Sequence, residues 1–106
     1  MAELSRAEVD ALSGSVVLEF GASWCGICAA ARPRIDRVLA EHPDVRRIWI
    51  EDGRGKRLGR SFGVKLWPTL IVLCDGREVA RVVRPRDEAA LRAALAALVN
   101  ETSCRY

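Results

Sequence analysis

No apolar run in this sequence is long enough to cross a membrane. The longest, AALAALV at 93–99, has seven residues, against the roughly 18 that a span requires. The start, MAELSRAEVDAL, carries acids and no apolar core of signal-peptide length, so a cytoplasmic protein without membrane contact is the expectation. Histidine occurs once, at His42 beside Pro43, and there are four cysteines. One Cys-x-x-Cys pair, one histidine and two scattered cysteines do not supply the four ligands of a closed zinc site, so no metal is expected. Four cysteines are also too few for a disulfide-built scaffold. In a reducing compartment such residues are catalytic, metal-bound or incidental. Aromatic residues make up only 6%. The basic segment Arg54, Lys56, Arg57 and Arg60 has none interleaved to stack on bases, which excludes nucleic acid as an expected partner and leaves a solvated face. Lysine is scarce: 15 of the 17 basic residues are arginine. Arginine suits carboxylate or phosphate recognition, but alanine is equally frequent, and codon bias in a GC-rich gene accounts for both.

What is present is ordinary globular composition, half hydrophobic with a net charge of +3 over 106 residues, enough for one core and one domain spanning 1–106. Residues 3–12 suggest a short helix with Leu4, Val9 and Leu12 on one face, stopped by Gly14. SVVLEF at 15–20 is an apolar run broken by one acid, as in a strand covered on both faces. Residues 25–41 have helical periodicity, with Ile35, Val38 and Leu39 on one stripe and Pro33 inside. VRRIWIED at 45–52 alternates as a strand, and GRGKRLGRSFGV is a weak basic helix or turn. TLIVLC and EVARVV flank Asp75-Gly76, a strong hairpin signal. DEAALRAALAALVN closes the pattern as a helix with Leu91, Leu95, Leu98 and Val99 facing inward. This order predicts an α/β fold, a mixed central sheet of about four strands with helices on both faces. The tail 101–106 is expected to be mobile, and Cys74 and Cys104 to be incidental.

ASWCGICAA at 22–30 sets two thiols three residues apart directly after the apolar strand. Much later, FGVKLWPT leads into the hairpin and last helix. With Pro33 inside the second helix, this combination resembles the thioredoxin family over nearly the whole chain. The resemblance implies a thioredoxin fold, here without the family's first edge strand, since only about 14 residues precede SVVLEF. It also implies a cis proline at Pro68, lying against the cysteine pair. The activity implied is thiol-disulfide exchange on protein disulfides, with no cofactor beyond a redox-active Cys25–Cys28 disulfide. A thioredoxin-reductase-type electron donor would act on a monomer.

Position supports that chemistry. A strand delivers Cys25 to the first turn of a helix, where unpaired N–H groups and the positive end of the dipole favour an anion. The thiolate is the nucleophile, so Cys25 is the attacking residue and Cys28, one turn deeper, the resolving one. Glu19 stands where thioredoxin has an aspartate behind the second cysteine, and as a buried acid it is a candidate proton relay. Pro68 would set the Trp67 backbone beside the cysteines to pair with an extended client. Trp24, Gly26, Ile27, Trp67 and Arg84 are the candidate client-binding residues. For Trp24, simple core packing is the competing reading.

Three departures from the family bear on specificity. Ile27 replaces the proline of thioredoxin and the histidine of disulfide isomerases, which suggests a potential between their established values of about −270 and −180 mV. Trp67 replaces a small aliphatic residue and is expected to narrow or re-floor the groove, and Arg84 stands at its far wall in place of glycine. No counterpart is visible for the family's buried lysine beside the acid, because Ile48 and its neighbours occupy that strand. The alternative function is a thioredoxin-like module that holds one partner or maturation client, with little general reductase activity.

Overall fold

The computed structural model describes residues 3–104. The first helix, α1 (Arg6–Asp10), begins at a capping box: Glu8 N donates to Ser5 Oγ at 3.0 Å and Ser5 N to Glu8 Oε1 at 2.8 Å, satisfying two donors that a helix start leaves open. After it come β1 (Ser15–Gly21), α2 (Gly26–Ala40), β2 (Arg46–Glu51), α3 (Arg57–Ser61), β3 (Thr69–Cys74), β4 (Arg77–Val83) and α4 (Glu88–Ala96), followed by a 3₁₀ turn over Ala97–Asn100.

The sheet order is β2-β1-β3-β4, with β1–β2 parallel and the other pairs antiparallel. β1 and β3 take the centre because their apolar runs serve both faces. Val17, Leu70 and Val72 pack against Ile35, Val38, Leu91 and Leu95 of α2 and α4. Val16, Leu18, Phe20 and Ile71 pack against Val9, Leu58 and Phe62 on the side of α1 and α3. The expected mixed sheet with helices on both faces is thus found. Among the described residues no strand lies outside β2, which is an edge. A shallow cleft of about 330 Å³, lined by Leu4, Ile48, Trp49 and Ile50 among others, runs beside it.

The Asp75-Gly76 turn has φ of 51° and 80°, both left-handed as a type I′ hairpin requires. A side chain at Gly76 would put its Cβ 2.0 Å from the Asp10 carbonyl oxygen, so glycine is also what lets the end of α1 close on the turn.

Two expectations are corrected at the C-terminus. The last helix does not continue regularly to residue 100: it tightens to 3₁₀ after Ala96. At three residues per turn, Leu98 stays on the core while Val99, expected to face inward, is 61% exposed. The segment from Glu101 to Cys104 is not a loose tail, nor are Cys74 and Cys104 incidental. They form a disulfide with a Cα separation of 5.9 Å, and both are buried in the α2/α4 core. Ser15 Oγ donates to the Cys104 carbonyl at 3.1 Å, Ser103 Oγ to Asp75 Oδ2 at 2.7 Å, and Arg77 pairs with Glu101. The reason is topological: the end of β3 and the last turn of the chain reach the same corner of the sheet. Arg105 and Tyr106 lie outside the described residues.

Candidate active site

β1 ends at Gly21, and the chain turns through Ala22, Ser23 and Trp24, with Cys25 N donating to the Ala22 carbonyl at 3.0 Å. The end of β2 holds this turn. Ser23 N and Oγ donate to Glu51 Oε2 at 2.9 and 3.2 Å, and Trp49 Nε1 donates to Glu51 Oε1 at 3.2 Å. Cys25 then caps α2, its Sγ accepting from Cys28 N at 3.2 Å. Cys28 sits one turn in and is buried.

The two thiols are reduced in this structure and are driven apart in acidity. Burial pushes the Cys25 thiol up, but the Cys28 thiol, the Cys28 and Ile27 amides and the Arg84 charge outweigh it and hold Cys25 below its ordinary value. Burial pushes Cys28 up to about 11, assisted by its hydrogen bond to Cys25 and by the Cys25 charge. Since only the thiolate is nucleophilic, reactivity rises as pH climbs through each group's pKa. In the reduced protein, alkylation by iodoacetamide is expected to show an inflection below pH 9 that belongs to Cys25. In a Cys25→Ser variant that inflection should vanish, leaving only the slow labelling of the buried Cys28. An unchanged low-pH inflection in the variant would contradict this assignment.

Gly21 lets the Cys28 thiol approach the strand. A Cβ there would lie 2.9 Å from Cys28 Sγ and 2.7 Å from the Trp49 ring, so both groups close on bare backbone. The Arg32 guanidinium lies 5.8 Å from the Trp49 ring centroid, near enough for cation–π attraction. Glu19 lies on the same face of β1 as Gly21, one side-chain repeat back, roughly 7 Å, and is buried. It does not lack a cation. Arg47 Nε donates to Glu19 Oε1 at 2.8 Å, and Arg47 Nη1 to Asp36 Oδ1 at 2.7 Å. This overturns the expectation of an unpaired acid. The parallel register sets Val17 against Arg47 and Glu19 against Trp49, so Arg47 points to the Glu19 face while Ile48 turns to the other core.

The Trp67–Pro68 peptide is cis. Arg84 follows β4 at φ +48°; its N–H donates to the Pro68 carbonyl at 2.8 Å and its Nε to the Trp67 carbonyl at 2.9 Å. Ile27, Pro68 and Arg84, with Pro85, Arg34 and Arg86, line a cavity of about 340 Å³ beside the cysteine motif. Trp67 does not floor that cavity as expected. Its Nε1 donates to Asp52 Oδ2 at 2.9 Å, and its ring lines a second cleft of about 180 Å³ with Lys56, Arg60 and Lys65. Trp24 meets the Trp67 ring edge-on at 5.5 Å and is 76% exposed, which rules out core packing as its role. Gly26 is exposed at the first turn of α2 with open space around it.

The fold therefore gathers Trp24, Cys25, Cys28, Ile27, Trp67, Pro68 and Arg84 at one end of the sheet, with Glu19 set back behind Cys28. Sequence reasoning missed Gly21, Trp49, Glu51 and Asp52, which hold these residues in place. Asp52 carried a signal: an acid at the end of an alternating strand, directly before Gly-x-Gly. Cys74, Asp75 and Cys104 form a cluster whose ligand atoms lie within 4.8 Å of one another, but its sulfurs are bonded to each other. It also lies at the opposite end of β1, roughly 20 Å from Cys25.

A profile of the thioredoxin family matches residues 3–97. The thioredoxin of Chlamydia muridarum is 38% identical over 79 residues, covering 74% of this chain and 78% of that protein. The thioredoxin of Mycolicibacterium smegmatis is 34% identical over 82 residues, covering 74% and 73%. Among solved structures, reduced thioredoxin 2 from Pseudomonas aeruginosa PAO1 superposes with a TM-score of 0.82 at 52% identity, covering 95% of this chain and 94% of that one. Family members exchange thiols with protein disulfides and are themselves reduced by thioredoxin reductase. With a Cys-x-x-Cys pair at the head of α2 and this likeness along nearly all of its length, the chain belongs to the thioredoxin family and is a thiol-disulfide oxidoreductase.

Proposed function

We propose that Cys25 is the attacking thiol and Cys28 the resolving one. The observation that carries this reading is Cys25 Sγ at the N-cap of α2, accepting the Cys28 amide, with Cys28 buried beneath it. The Cys25 thiolate attacks one sulfur of a client disulfide, forming a mixed disulfide and releasing the other client sulfur as thiolate. Cys28 then loses its proton and attacks Cys25 Sγ, which frees the second client thiolate and leaves the Cys25–Cys28 disulfide. Two electrons have passed to the client, and a thioredoxin-reductase-type donor returns them. Glu19 is the proposed proton acceptor for Cys28, supported by its burial on the strand face beneath that residue. Trp24, Gly26, Ile27, Trp67, Pro68 and Arg84 form the proposed client surface.

The pair itself carries the electrons, so the cycle requires no bound cofactor and no metal. We place the protein in the cytoplasm, where such a donor operates, as a monomer without nucleic-acid or membrane partners. The buried Cys74–Cys104 disulfide is compatible with a reducing compartment because solvent thiols have little access to it. A purely partner-holding role is not favoured, since the two thiols are tuned in opposite directions for exchange.

The test is equilibration of the Cys25–Cys28 pair against glutathione, followed by Trp24 fluorescence. The expected potential lies between about −270 and −180 mV. A pair that forms no reversible disulfide would sink the reading.

A further inference from the structure

The cavity beside the cysteine motif has a charge pattern that a general protein reductant does not require. Arg34 enters it from α2, and Arg84 and Arg86 from the segment after β4, while none of its lining residues is acidic. Arg84 and Arg86 are both exposed, flank the buried Pro85, and line the same cavity. Arg6, Arg37, Arg47, Arg77, Arg81 and Arg92 are all neutralised in ion pairs. Among the described residues Arg34, Arg84 and Arg86 form none; Arg32, Arg46, Arg54, Arg57 and Arg60 are likewise in no ion pair but do not line this cavity. The side-chain partners of two of them are backbone carbonyls, Pro85 for Arg34 at 3.5 Å and Trp67 for Arg84. The nearest acid along the chain, Asp87, is turned away to cap α4, accepting from Ala90 N at 2.9 Å. Arginine presents a forked donor set matched to carboxylate, and the patch adjoins the cysteine motif through Ile27 and Pro68, with the Arg84 charge acting on Cys25.

From this we infer that the protein selects polypeptide disulfides with aspartate or glutamate within a few residues of the reacting cysteine. A polypeptide fits better than a small anion because the three guanidinium groups come from two separate segments around an open groove. The inference rests on the reductase reading above and adds its substrate class.

Four disulfides test it against the fully reduced protein in single-turnover stopped flow: two cyclic disulfide peptides of equal length, flanked by Glu or by Lys, neutral hydroxyethyl disulfide, and glutathione disulfide as a small anion. At low ionic strength the Glu peptide is expected to react at least about tenfold faster than the Lys peptide, with the ratio falling to about two in 0.5 M NaCl as the charges are screened. A double Arg34→Gln, Arg86→Gln variant should lose most of that ratio at low salt, and the salt arm reads the same effect without any substitution. Equal rates for the two peptides, with hydroxyethyl disulfide still reduced, would overturn the charge selectivity and leave the reductase reading standing. Glutathione disulfide outpacing the Glu peptide would replace the polypeptide by a small anion as the occupant. Failure to reduce any disulfide, the neutral one included, would remove the reductase reading itself.

Discussion

Replacing Cys28 by serine is expected to leave the first bond exchange intact and block the second, so that the protein accumulates as a mixed disulfide with its client. The geometry sets this expectation. Cys25 sits at the helix cap with its thiol held below the ordinary value, and in the reduced protein Cys28 is buried and pushed up to about 11. The first residue is therefore the more readily ionised of the two, and the second is expected to react only after Cys25 has become half of a disulfide. Intact-mass analysis after incubation with a disulfide peptide should show one peptide mass added to Cys28→Ser. Cys25→Ser should show no adduct and lose turnover by at least about a thousandfold, as removal of a covalent nucleophile does. Multiple turnovers by Cys28→Ser, or an adduct on Cys25→Ser, would reverse the roles of the two residues.

The second large effect is on stability. Opening the Cys74–Cys104 disulfide releases a loop of 30 residues, for which chain entropy gives about 3–4 kcal/mol. For a domain of this size that is a fall in Tm of about 15 °C. Cys104→Ala on a Cys25→Ser, Cys28→Ser background isolates this disulfide from the active pair. The background protein should melt about 15 °C lower after reduction, and the Cys104→Ala protein should melt low with or without reductant. Equal melting of oxidised and reduced background protein would show that the disulfide does not hold the fold.

The contrast between the two cysteine pairs shows where sequence reading works. Cys25 and Cys28 were legible because they share one helical turn after an apolar strand, and because local rules place Asp75-Gly76 in a hairpin turn. Cys74 and Cys104 are joined by the closing of the whole chain, which no local pattern encodes. The same holds for Glu19 and Arg47, 28 residues apart, whose pairing depends on the parallel register across β1 and β2. Gly21 looked like a plain residue after a strand. Its meaning emerges only when Trp49 and Cys28 arrive from two other elements. Val99 was misread because periodicity cannot tell where an α-helix tightens. The structure brings Trp24, Ile27, Pro68 and Arg84 to the cysteine end of the sheet, whereas the direction of the Trp67 ring is set by Asp52 at the end of β2, which no local pattern encodes.

Among the described residues, β2 closes one side of the sheet without a further strand beyond it. An unpartnered β-edge is the usual starting point for aggregation, because its free peptide groups invite a strand from another molecule. Here Arg46 stands exposed on that border, and its charge repels the same border of a second copy. The fold thus tolerates the shorter sheet while its open margin resists self-templated growth at high protein concentration.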